Sequence, residues 1–141
     1  MDPLPWKPAI ISLTEGPEAR ARKIDASFFP PVPEETLAAW EGKHDLVIPA
    51  ELRTFVRQSD GLEAACGQMW PVLPFARWEA IDDACLSGHP WIRFGEGSDH
   101  HYLVSLGHSP SIYRYQRFGS DEEFFAPGFH DYLRRVFRGD S

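Results

Sequence analysis

Cysteine is scarce in this sequence: Cys66 and Cys85 are the only two. So few thiols exclude a disulfide-stapled scaffold, and they read as free thiols used in packing or at the surface. Long apolar runs are missing too, since no stretch approaches the roughly 20 residues of a membrane-spanning helix. The opening, MDPLPWKPAIISLTEG, lacks the basic start, apolar middle and small-residue cleavage site of a signal peptide. Both absences point to a cytoplasmic address. No His-x-x-x-His or Cys-x-x-Cys spacing occurs, so no metal is expected. The Gly-x-Ser-x-Gly elbow of a hydrolase does not occur either. Excess positive charge is the last absence. The net charge is −7, and residues 57–101 hold seven acids against three bases. An acidic middle repels phosphate backbones and disfavours nucleic acid as a partner. The same field attracts a basic protein surface.

What is present suits one domain. The 141 residues are 43% hydrophobic and 13% aromatic, sufficient for a single core. Thirteen prolines and eleven glycines predict many short elements rather than a helical bundle. Residues 1–29 read as an N-terminal extension, with a short polar helix over 17–25, ahead of a main domain at 30–141. In that domain Pro33 opens a helix through EETLAAWEGK, with Glu34 and Glu35 at its positive end and Gly42 as its stop. A second helix starts after Pro49, places Leu52, Phe55 and Val56 on one face, and is closed by Gly61. Two prolines make QMWPVLPF, residues 68–75, an edge strand or extended crossing. Trp78, Ile81, Cys85 and Leu86 have the spacing of a short amphipathic helix. WIRFGEG, HYLVSLG and SIYRYQRF read as strands, the last two joined by a hairpin loop at 107–110. Phe129, Tyr132, Leu133, Val136 and Phe137 form the clearest amphipathic helix. The order helix, helix, strand, helix, three strands, helix predicts an α+β fold, an antiparallel sheet with helices on one face.

Residues carrying chemistry are few. GEGSDHHY, residues 95–102, is the densest polar cluster. Its glycines begin a dinucleotide-like pattern, but His100 stands where the third glycine belongs and no helix follows. His100 and His101 are neighbours on a strand and point to opposite faces, so they cannot readily share an ion. A small hydrolase using Asp99 and His100 is one reading of this cluster; a solvated turn capped by Asp99 is another. Trp40, Trp70, Trp78 and Trp91 stand beside periodic apolar residues and read as core. Tyr113 and Tyr115 share a strand face, where they serve either cross-strand packing or a binding surface.

The run PPVPEETLAAWEGKHDLVIPAELRTFVRQSDGLEA resembles the opening of the SMI1/KNR4 family, also called the SUKH superfamily. The matching pieces are Glu35, Trp40, Ile48-Pro49, Leu52, Phe55 and Ser59-Asp60-Gly61. WIRFGEGSDHHYLVSL is similar to the family's second block, and EEFFAPGFHDYLRRVF to its closing helix. The resemblance implies helices packed on an antiparallel sheet, with no shared catalytic residues and no cofactor. It implies an immunity protein that binds and neutralises a cognate protein toxin, or a non-catalytic scaffold for an endogenous partner. Combined with the charge pattern, it makes Asp60, Glu63, Glu96 and Asp99, with Tyr113 and Tyr115, the expected partner-binding residues.

Overall fold

The five apolar residues spaced along the last helix, Phe129–Phe137, are all buried, as their 3.6-residue period requires. They pack against a sheet. The computed structural model describes residues 5–17, 25–64, 69–81, 90–97, 100–106, 111–116 and 122–138. Its elements run α1 (Trp6–Thr14), β1 (Ala26–Phe28), α2 (Glu34–His44), α3 (Ala50–Val56), β2 (Leu62–Ala64), β3 (Met69–Val72), a 3-10 turn (Phe75–Arg77), β4 (Glu79–Ile81), β5 (Trp91–Glu96), β6 (His100–Ser105), β7 (Ile112–Gln116), β8 (Glu122–Ala126) and α4 (Phe129–Phe137). Every strand pairing is antiparallel, in the order β1-β2-β3-β5-β6-β7-β8, and β4 also pairs with β5. The fold is therefore α+β, as expected. Both cysteines, Asp99, the loop at 107–110 and most of the 17–25 segment lie outside the described residues.

The core lies between the sheet and the helices. Ile92, Phe94, Tyr102, Val104 and Ile112 face it from the central strands, and Leu52, Phe55, Phe129, Tyr132 and Leu133 face it from the helices. Aromatic edges meet faces throughout: Phe94 and Tyr102 pack on Tyr132 with ring centroids 5.2 and 4.9 Å apart. Trp6 and Ile10 of α1 join the same core at 1% and 0% exposure, although nothing in the sequence pattern assigned a structure to that segment.

Four sequence expectations are corrected. Residues 79–81 form β4 rather than part of a helix. Trp78 is extended, its indole N–H donates to the Leu73 carbonyl at 2.9 Å, and the following residues pair with β5. Ladder pairing outweighs a helical spacing that rested on four residues. The strand containing Pro71 lies between β2 and β5 instead of at an edge. Its ladder with β2 is irregular between Met69 and Val72, so Pro71, which has no N–H, falls where the register breaks. Helix α2 runs through Gly42 to His44, and Asp45 takes the left-handed turn at φ 54°, a conformation short polar side chains tolerate. Helix α3 ends at Val56, well before Gly61.

Gly61 has a different task. At φ 99° it turns the chain into β2. A Cβ there would stand 3.1 Å from both the Pro74 nitrogen and the Val72 carbonyl oxygen. Around it, the Ser59 hydroxyl accepts from the Phe29 N–H at 2.9 Å and donates to the Gly61 carbonyl at 2.7 Å. The Asp60 N–H donates to the Pro30 carbonyl, and its carboxylate accepts from the Phe75 N–H at 2.7 Å. Ser59-Asp60-Gly61 is thus a junction tying the chain after β1, the start of β2 and the 3-10 turn together.

Gly42 offers a contrast. It lies inside α2, and a methyl group added there would meet nothing within 4 Å. Gly42→Ala is expected to raise stability by about 0.5–1 kcal/mol, because alanine restricts the unfolded chain and favours helix. Urea denaturation of the two proteins checks the sign.

Candidate partner-binding surface

Residues paired across an antiparallel sheet point to the same side. Glu79, Arg93, Leu103, Tyr113 and Phe124 are successive partners across β4, β5, β6, β7 and β8. They form one transverse row on the side of the sheet away from the core. Ile81, Trp91 and Ser105 form a second row, and Glu96, His101 and Tyr115 align in a third. Trp91 and Leu103 are 4% and 1% exposed, yet both stand outside the helix-side core cluster. This outer face therefore has an apolar patch of its own. Trp91 packs edge-on to Tyr113 at 5.1 Å, Tyr113 edge-on to Phe124 at 5.7 Å, and His101 stacks on Tyr115 at 5.1 Å. Phe124 is 54% exposed and adds open apolar area to the patch formed with Trp91 and Tyr113.

Charges on this face are organised around Arg93. Its guanidinium donates to Glu79 at 2.6 Å and to Glu96 at 3.1 Å. It also lies 2.9 Å from the His101 Nδ1. A guanidinium only donates, so this contact is a hydrogen bond when Nδ1 carries no proton; the same nitrogen lies 3.6 Å from the Glu96 carboxylate. Burial works against the Arg93 charge, but Glu79 and Glu96 outweigh it and raise its pKa above the ordinary arginine value. Glu96 also faces Arg77 at 3.7 Å. Two arginines and two glutamates balance here, so Glu96 enters the surface compensated rather than as a bare negative charge.

The expected partner-binding residues are thus divided. Glu96, Tyr113 and Tyr115 come together on the outer face. Glu63 sits on β2 opposite Ser27, about 19 Å across the sheet from β7 at about 4.8 Å per strand. Asp60 is engaged in the junction beneath Phe75. Asp99 lies outside the described residues, and so half of the Asp99–His100 pair does as well. His100 is half-buried and its carbonyl accepts from the Gly97 N–H at 2.7 Å. Sequence reading placed Trp91 among the buried residues, as it is, but did not single out Arg93, His101 and Phe124 as members of this face. The alternation in WIRFGE was a usable signal for Trp91 and Arg93, but only strand register places them beside Tyr113. Among the described residues, no group of three His, Cys, Asp or Glu side chains could hold a metal ion, and no helix is long and apolar enough to cross a membrane.

The tyrosines have a measurable signature. Burial raises the Tyr115 phenol above its ordinary 10.0, against a lowering influence from Arg93. Burial, then Tyr102, holds Tyr132 well above the same value. The folded state therefore keeps phenolic protons that the unfolded chain releases. That contribution is complete below about pH 10 and is lost as pH rises through the raised values. Stability is expected to fall steadily from about pH 10 to 11, with a shallower slope in Tyr132→Phe; denaturant midpoints across that range test it.

A search of curated proteins gave no match. A comparison with family models matches residues 31–135 to the SMI1/KNR4 family (SUKH-1). That interval spans strands β2 to β8, the Ser59-Asp60-Gly61 junction and most of α4, and it covers well over half of the 141 residues. Membership supports an immunity-like, protein-binding role at the level of the family. The chain belongs to the SMI1/KNR4 (SUKH-1) family.

Proposed function

We propose that this protein is an immunity protein of the cytoplasm that binds a cognate protein toxin and blocks it stoichiometrically, without catalysis. The observation that carries this reading is the aromatic row on the outer face, ending in the exposed ring of Phe124. Rigid aromatic side chains supply contact area at low entropic cost, and they are enriched in protein interfaces where Lys, Glu and Asp are depleted. Tyr113 and Tyr115 supply that area, with Glu96 held at the rim by Arg93. Glu63 would meet the partner at the margin, Asp99 stays a candidate contact from its sequence alone, and the acidic balance of the chain favours a toxin with a basic surface. Asp60 supports this surface indirectly through the 3-10 turn.

The test is co-expression with the product of any toxin-like gene encoded beside this protein's own. Cells are expected to survive with the wild-type protein and to die with a folded Phe124→Asp variant. Protection that survives Phe124→Asp, or no protection by either protein, contradicts the proposal.

A further inference from the structure

A concave site outside the outer sheet face is lined by residues of α2 and the 3-10 turn. It is an open groove of about 450 Å³ between α2 and the turn, walled by Trp40, Phe75 and Trp78. The walls are fixed from behind. The Phe75 N–H is held by the Asp60 carboxylate at 2.7 Å, and the Trp78 indole by the Leu73 carbonyl. Trp40 packs on Phe75 and Trp78 with centroids 5.6 and 6.5 Å away. Helix α2 buries only Leu37 fully. Its next large apolar side chain, Trp40, packs partly against the core and leaves its remaining surface to line the groove.

The groove's charge runs against that of the molecule. The chain carries −7, yet among the described lining residues the ionisable ones are Lys43 and His44. His44 lies one turn along from Trp40, its ring tilted at 47° with centroids 4.5 Å apart, so a cation and a hydrogen-bonding ring border the aromatic wall. An occupant matching both features offers a flat apolar ring to Trp40, Phe75 and Trp78, and a carboxylate to Lys43.

The geometry points to this groove as a docking site for an acidic segment of a partner protein, inserting an aromatic side chain next to a carboxylate. Its openness at the surface suits a side chain carried on an extended chain. The inference does not require the partner to be a toxin, and it concerns a different surface from the outer sheet face.

Fluorescence anisotropy of labelled, capped pentapeptides tests it. One alternates aspartate with phenylalanine, one alternates lysine with phenylalanine, and one alternates aspartate with alanine. The aspartate–phenylalanine peptide is expected to bind at least about tenfold more tightly than either control, the scale of one well-placed ion pair or ring. Ala76→Trp, which fills the groove from an exposed position, is expected to abolish that binding, and Lys43→Glu to reverse the preference between the two charged peptides. Equal affinity for the charged peptides overturns the inference, as does binding that survives Ala76→Trp or an absence of saturable binding by any peptide. If 3-phenylpropionate competes as tightly as the peptide, the site belongs to a small ligand and the partner-segment assignment fails. Phe124→Asp should leave all of these affinities unchanged, which separates this result from the outcome of the toxin test.

Discussion

Gly95→Ala is expected to destabilise the protein by about 2–5 kcal/mol, a large fraction of the roughly 5–15 kcal/mol that holds a typical domain folded. A Cβ at this position would stand 2.5 Å from the Pro71 carbonyl oxygen and 2.9 Å from the Tyr132 hydroxyl. Those two atoms are themselves joined by a buried hydrogen bond of 2.6 Å. The methyl group therefore meets rigid backbone on one side and displaces a buried donor on the other. Overpacking alone costs about 1–3 kcal/mol, and a stranded buried polar group about 1–3 kcal/mol. The two overlap because they share atoms. The close approach exists because β5 breaks register between Arg93 and Gly95 against β6, bringing its backbone under the irregular part of β3. Urea denaturation at neutral pH measures the loss. A midpoint equal to wild type would show that β3 and β5 can separate without cost.

Trp6→Ala is expected to cost about 3–5 kcal/mol, the usual range for deleting a buried large aromatic. Trp6 is 1% exposed, meets Phe129 edge-on at 5.1 Å and Phe55 at 6.4 Å, and its backbone N–H donates to the Gln58 side chain at 2.7 Å. It thus connects α1 to both α3 and α4. Position 6 precedes the family-matched interval at 31–135, so this variant asks whether the first helix is integral to this core. A change below about 0.5 kcal/mol, typical of surface substitutions, would mean that α1 docks only loosely.

The helices were legible to the extent that they bury a continuous stripe. Helix α4 places five apolar residues on one face, and both its position and its burial follow from that period alone. Helix α1 has two fully buried residues in nine, Trp6 and Ile10, too few for periodicity to separate it from an irregular segment. Strands β5, β6 and β7 announced themselves by alternation. Strands β1, β2 and β4 have three residues each, shorter than any window in which alternation can be counted, and only long-range pairing makes them strands. The same limit applied to the candidate surface. Tyr113 and Tyr115 could be placed on one strand face, but their neighbours Trp91, Phe124 and His101 arrive from three other strands, through a register that local sequence does not encode. Charge was the least legible feature. The acidic middle predicted an exposed carboxylate at Glu96, whereas the fold sets Arg93 and Arg77 against it. Asp60 was visible as a turn residue but not as the acceptor for the Phe75 N–H fifteen residues away.

The central claim is that this chain acts by presenting the outer sheet face, with Tyr113 and, at the end of the row, Phe124 as anchors, to a protein toxin. Isothermal titration of the purified protein with a toxin whose killing it prevents on co-expression tests that most directly. Wild type is expected to form a one-to-one complex. Phe124→Asp and Tyr113→Ala are each expected to weaken it by about thirtyfold or more, the effect of losing an anchor worth about 2 kcal/mol, with stability little changed in Phe124→Asp. A complex whose affinity is untouched by both substitutions would contradict the account, as would a toxin that does not bind at all.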